Sequence, residues 1–319
     1  MSIEQCELLA ELSSSVAYQG IVALKCILCF VGALGICYQW RKQGARFLVH
    51  ENSKILFNFY YVNSFIVSFM FVIFYLFELF RLRHECYVVQ FKTVLFMKML
   101  ADCGLFGAHF LIVALSIERL YSSFFPAQFE KKSNKKLAFC EAVGVVAISW
   151  SYITCRFSNN FTLFYDTRLV ALIDERIPEN LSNFEEVMTV INASSLFSFL
   201  LLIIDIYMNF YRKSSIMPSL SVSYQRSENR RVILTILPIE LTEFFLAIIG
   251  VTIQILQMNV IGMSSPFINV LIMELTFHTM LNPLITAIII EWRTSKNRRI
   301  VTNNLDNVYH FESLKQYWA

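Results

Sequence analysis

Charged side chains stand inside stretches that are otherwise apolar, and several come at helical spacing. Lys98 and Asp102 are four apart, Glu240 and Glu243 three apart, Glu274 and His278 four apart, and Glu118 is followed directly by Arg119. Residues three or four apart share one face of a helix. In an apolar medium such groups are costly unless they meet a partner or line a wet cavity. The chemistry open to them is recognition, in a polar pocket, or neutralising contacts that hold helices together; one cluster can do both. Catalysis needs more. The chain has no His-Glu-x-x-His, no Gly-x-Ser-x-Gly and no phosphate-binding glycine loop. His50, His84, His109, His278 and His310 are far apart in the chain. No enzymatic activity and no cofactor is expected. Cys26 and Cys29 have neither a second cysteine pair nor a histidine pair beside them, so they read as small packing residues rather than metal ligands.

The elements that carry these residues follow from composition. Of 319 residues, 56% are hydrophobic and 16% charged, which leaves too little polar surface for a soluble domain. A net charge of +3 is too small to imply a nucleic-acid partner. Seven apolar stretches stand out: Tyr18–Trp40, Ile55–Phe80, Thr93–Ile117, Leu137–Cys155, Val187–Tyr211, Val232–Leu256 and Pro266–Ile290. Each meets the roughly 20 residues that cross a bilayer, and only helices satisfy their own backbones there. The expected fold is an all-α membrane protein, a seven-transmembrane helix bundle over residues 18–290. It has an extracellular N-terminal segment, 1–17, and a cytoplasmic tail, 291–319.

Orientation comes from the basic residues. Arg41, Lys42, Arg46 and Lys54 follow the first span; Lys131, Lys132, Lys135 and Lys136 follow the third. Arg212, Lys213, Arg226, Arg230 and Arg231 follow the fifth, and Arg293, Lys296, Arg298 and Arg299 the seventh. The opposite loops are poorer in Lys and Arg, although Arg81, Arg83 and Lys92 dissent. The bias places the N-terminus outside and the C-terminus in the cytoplasm. The first residues carry Glu4, Glu7 and Glu11 without a basic residue, unlike a cleaved signal peptide, so the first span reads as an uncleaved anchor. Two glycosylation sequons, at Asn160 and Asn180, fall in a loop that the charges alone assign outside.

Two prolines punctuate the last spans. Pro238 interrupts the sixth, removing a backbone hydrogen bond. Asn282-Pro283 lies near the inner end of the seventh and resembles the Asn-Pro-x-x-Tyr of rhodopsin-like receptors, with Thr286 in place of Tyr. At the inner end of the third span, Glu118, Arg119, Ser122, Phe125, Phe129 and Glu130 match at the right spacing a Glu-Arg-x-x-Ala-x-x-Phe-x-x-x-Tyr-Glu pattern. That pattern is similar to the nematode serpentine chemoreceptors, the class epsilon (Sre) family and its Sra-group relatives. Ser122 stands for Ala and Phe129 for Tyr. The segment Val308 to Trp318 resembles the family's closing Val-Tyr-Phe-x-x-Leu-Lys-x-x-Trp with one extra residue.

The resemblance implies a chemosensory G-protein-coupled receptor in the plasma membrane of sensory neurons, in their cilia. It would bind a small-molecule ligand from outside and signal to a heterotrimeric G protein inside. A polytopic transporter or channel-like protein is the alternative, but no internal repeat is visible to support it. At about 1.5 Å per residue, Asp102 lies about 25 Å outward of Arg119, a depth that suits an outer pocket. Lys98, Asp102, Glu240, Glu243, Glu274 and His278 are its candidate lining. Glu118, Arg119, Phe125, Phe129, Glu130, Pro238, Asn282 and Pro283 are the candidate switch. Glu118 is expected to hold Arg119 at rest, where the third helix meets water, and Glu228 is a weaker candidate partner across helices. Asp205 and Glu141 lie too far inward for the pocket, and Lys25 and Glu78 are expected to snorkel or pair. The disulfide usual in rhodopsin-like receptors does not transfer, because the loop between Asn159 and Glu186 has no cysteine. Cys86 with Cys155 is the candidate bridge in an oxidising exterior, with Cys6 a competing partner.

The orientation is directly testable. A reporter cysteine in segment 131–136 should react with an impermeant thiol reagent only after cells are opened. Labelling from outside intact cells would reverse the topology.

Overall fold

The computed structural model describes residues 11, 13–43, 51–83, 89–125, 135–158, 169–170, 181–211, 220–256 and 281–292. Its helices are Val16–Gln43 (α1), Glu51–Arg83 (α2), Phe91–Phe124 (α3), Lys135–Ser158 (α4), Leu181–Ile206 (α5), Leu220–Leu256 (α6) and Asn282–Trp292 (α7). α5 continues into a π-helical turn at Tyr207–Tyr211. Among the described residues, five helices are long and apolar enough to cross a membrane. Each of the first six expected spans lies within one helix or, for the fifth, within α5 and its π turn. The outer part of the seventh, residues 266–280, lies outside the described residues.

Two boundaries differ from expectation. α3 runs on to Phe124 instead of meeting water near Ile117. The sequence after Ile117 is rich in polar residues, but the helix continues because their side chains are satisfied against neighbouring helices, as described below. α6 begins at Leu220, twelve residues before the apolar run at Val232, so Arg226, Arg230 and Arg231 stand on a helix rather than in a loop.

α3 is the central helix. In its spanning window 78% of residues are buried, against 22% to 44% in the other four. It packs on α2, α4, α5 and α6. Small residues let it approach closely, a common device between membrane helices. A methyl group at Gly107 would lie 2.2 Å from Asn63 Oδ1, and one at Gly104 2.9 Å from the Asn63 carbonyl. Asn63 is held in place: its amide donates to the Phe59 carbonyl at 2.9 Å, and its Oδ1 accepts from Trp150 Nε1 at 3.2 Å. One polar side chain thus pins α2, α3 and α4 where two apolar clusters meet. Phe71, Tyr75, Phe106 and Ile153 belong to one cluster; Tyr61, Leu111, Leu202 and Ile236 belong to the other.

Polar ties hold the remaining helices. Near one end, Glu78 accepts from Tyr18 at 2.8 Å and from Arg81 at 2.9 Å and 2.5 Å. Glu78 and Arg81 are buried, and Lys25 sits over the Tyr75 ring at 5.6 Å. Arg81 is thus neutralised within the bundle. At the other end Lys42 of α1 pairs with Glu291 of α7, which also accepts from Gln39 at 2.8 Å. A methyl at Gly35 would lie 2.9 Å from Ala287 Cβ, so α1 and α7 approach closely there. A short antiparallel pairing joins Val89–Gln90 (β1) to Leu169–Val170 (β2), linking the segment before α3 to the one after α4.

Replacing Gly107 by Ala should lower the thermal stability of the purified chain by about 1–3 kcal/mol, the usual cost of overpacking. Adding Asn63→Ala should recover part of that loss, because the obstructing amide is removed. No loss in Gly107→Ala would contradict the close approach of α2 and α3.

Candidate functional site

Arg119 is fully buried. The expectation that it meets water at a helix end is overturned, because α3 extends beyond it and three other helices close around it. Its Nη1 donates to Asn229 Oδ1 of α6 at 3.1 Å. Its Nη2 donates to Ser53 Oγ of α2 and lies 3.1 Å from Glu118 Oε1. Ser53 in turn donates to Glu118 Oε2 at 2.8 Å. The acid–arginine pair is thus clamped by α2 on one side and α6 on the other. A guanidinium offers five donors in a rigid fork, which suits a site that must bond in several directions.

α5 completes the network. Ser123 Oγ lies 2.5 Å from Asp205 Oδ1, and Asn209 donates to Ser123 Oγ at 2.7 Å and to Asp205 Oδ1 at 2.9 Å. Asn229 Nδ2 also donates to Ser123 Oγ, at 3.1 Å. Ser122 donates to Asn229 Oδ1 at 2.8 Å. The π turn places Asn209 here, and its carbonyl accepts from Arg230 Nε of α6 at 2.8 Å. π turns free backbone groups from the regular ladder and recur at functional sites. Asp205 is fully buried, and its Oδ2 has no hydrogen-bond partner among the described residues.

A second polar cluster lies farther along α3. His109 is ten residues from Arg119, about 15 Å along the helix. Its Nδ1 donates to the Leu105 carbonyl at 2.9 Å, and its Nε2 lies 3.5 Å from Glu243 Oε2. Glu240 Oε1 accepts from Ser198 of α5 at 2.5 Å, and the Ser198 and Ser116 hydroxyls are 3.1 Å apart. Tyr60 of α2 and Thr286 of α7 share a hydrogen bond of 2.9 Å. Pro238 stands two residues before Glu240, and its carbonyl accepts from Thr242 at 2.7 Å.

The sites read from sequence fall into place unevenly. Glu240 and Glu243 are buried together and meet α3 and α5. Asp102 is also buried on α3, seven residues from His109 and so about 10 Å away along the helix; Lys98 is half-buried. Phe125 is exposed at the end of α3, its ring centroid 5.3 Å from that of Tyr121. Asn282 and Pro283 are buried, and Thr286 bonds to α2. Cys155 is exposed. Glu274, His278, Phe129, Glu130, Asn160, Asn180, Cys6, Cys86 and the tail motif lie outside the described residues, as does the side chain of Glu228. The residue before α6's apolar run that meets Arg119 is Asn229.

Sequence reading missed Ser53, Ser123, Asn209, Asn229, His109 and Ser198. It placed Asp205 too far inward for a pocket without seeing its contacts around Arg119. The available signal was the recurrence of small polar residues on faces that are otherwise apolar.

A seven-helix bundle in which one central helix carries a buried Glu-Arg pair defines the class of protein. A family model described as the serpentine type 7TM GPCR receptor class ab chemoreceptor matches residues 3–318. The chain belongs to that family and is a serpentine chemoreceptor with membrane-spanning helices. The family shown is class ab, and nothing in the match supports the narrower class epsilon. A comparison with curated proteins finds no match.

Asn229→Ala removes three side-chain hydrogen bonds between α6 and α3, one of them to a charge. It should lower stability by about 1–3 kcal/mol, read as the thermal unfolding of the purified chain. Unchanged stability would mean that these bonds carry no weight.

Proposed function

We propose that this chain is a chemosensory receptor that binds a small extracellular molecule and signals to a heterotrimeric G protein. Its N-terminus is outside and its tail in the cytoplasm, in the plasma membrane of sensory-neuron cilia. The family, the charge bias of the loops and the absence of any catalytic constellation in the sequence support this reading. It needs no cofactor.

The observation that carries the mechanism is the clamp on Arg119. Four helices meet there through groups that must all find partners, so the packed arrangement is one discrete state. A ligand acts on such a protein only by preferring another arrangement. Glu240 and Glu243 lie on the same helix as Asn229 with Pro238 between them. A ligand that moves the outer part of α6 can thereby draw Asn229 away from Arg119. The movement would open a groove beside Arg119, Ser123 and Phe125, on the side of the basic loops, where a G protein can insert. Lys98 and Asp102 line the outer approach in this reading, and Asn282-Pro283 gives α7 its matching bend.

Nucleotide exchange on a G protein in membranes containing the chain tests the role. Arg119→Ala should abolish exchange while ligand binding stays intact. Glu118→Gln weakens the clamp by about 1.5 kcal/mol, the weight of one hydrogen bond to a charge, and should raise basal exchange about tenfold. Full signalling by Arg119→Ala at matched surface level would end the coupling role.

A further inference from the structure

Among the described residues, the other buried glutamates have strong bases beside them. Glu78 is bonded to Arg81 and Glu118 is paired with Arg119. Glu240 and Glu243 differ. They are 1% and 7% exposed, and no Lys or Arg among the described residues is paired with either. The titratable groups that face them are His109 from α3, in ion-pair range of Glu243, and Tyr60 from α2, within electrostatic reach of both. α5 contributes the Ser198 hydroxyl, and α7 contributes Thr286 through Tyr60. Glu274 and His278 lie outside the described residues.

Charge counting then constrains the cluster. A carbonyl can only accept, so His109 Nδ1 bears a hydrogen, given to Leu105. One further proton shared between His109 Nε2 and Glu243, 3.5 Å apart, would make that pair neutral overall wherever it sat. Among the described residues Glu240 is then left without a base of its own, since His109 already meets Glu243. Its Oε1 accepts from Ser198, and its Oε2 has no hydrogen-bond partner among the described residues. An unpaired carboxylate in an apolar interior is far costlier than a neutral acid.

We propose that Glu240, Glu243 and His109 form a proton-binding site in the bundle core, occupied in the packed arrangement and emptied by one proton when α6 moves. The leaving proton comes from Glu240: its O–H bond breaks and water admitted around the moving helix takes the proton. The packed state then binds one proton more than the moved state, so acid favours packing and rising pH favours activation. The link from this proton to activation rests on the receptor reading; the site itself does not.

Infrared spectroscopy of the full-length chain in lipid nanodiscs tests the site without reference to signalling. At neutral pH the protein should show a protonated-carboxyl C=O stretch that shifts with isotope-labelled glutamate, which separates it from Asp102 and Asp205. The band should fade as pH rises and lose the Glu240 share of its intensity in Glu240→Gln; an unchanged band in that variant would overturn the assignment to Glu240. Should that variant not fold, Glu240→Asp should move the Glu240 component out of the labelled-glutamate signal. A spectrum with no glutamate band at neutral pH in the wild-type chain would overturn the proposal. In membranes with G protein, basal exchange should rise with pH by up to about tenfold per unit, the limit for one proton, relative to a flat response in Glu240→Gln. Equal pH slopes in the two proteins would sink the coupling to α6. Absence of exchange at every pH would instead count against the receptor reading and leave the infrared result to decide the site.

Discussion

Burial of one guanidinium organises one half of this bundle. Arg119 keeps its charge at any relevant pH, and a charge with no exposure to solvent must be met by the protein. Glu118 neutralises it, Ser53 orients both, and Asn229 reaches it from α6. Those contacts demand that α2, α3 and α6 stay in register. They also explain why α3 continues past its apolar run: the polar residues after Ile117 face neighbouring helices. Removing any one partner exposes the cost of the rest, so the contacts depend on one another.

The same logic recurs with different strengths along the molecule. At one end, Glu78 and Arg81 are a closed pair within α2, tied to α1 by Tyr18, and serve as a fixed brace. Around Arg119, hydrogen bonds from four helices make a clamp that a shift of α6 would open. Between them, Glu240 and Glu243 have a histidine and hydroxyls but no strong base among the described residues, and stand two and five residues after Pro238. A proline gap in the helical ladder makes bending there less costly. In the proposed account, the weakly compensated acids lie at the bend and the strongly bonded arginine lies beyond it, so motion at one is felt at the other.

Much of this was legible from residues alone, and the reasons differ by feature. The spanning stretches follow from hydrocarbon thickness, so Ile55–Phe80 and Leu137–Cys155 fall inside α2 and α4. The pairing of Glu118 with Arg119 was readable from adjacency. The helix ends were not readable, because hydropathy reports lipid contact and not helix continuation. Residues 220–231 are polar yet helical, and that is where Asn229 lies. Nor could sequence show that His109 faces Glu243, which joins residues far apart in the chain through packing of α3 on α6. Asn63 is a similar case: its effect depends on Gly107 opposite, a relation between two helices that no local spacing encodes.

The central claim is that the contacts of Arg119 hold α6 against α3. Spin labels at Phe124 on α3 and Leu234 on α6, both exposed to lipid or solvent, would report that separation in the full chain in nanodiscs. The account predicts that Arg119→Ala moves the distance distribution from one short population toward a longer one. Superimposable distributions for the wild-type and Arg119→Ala proteins would contradict it.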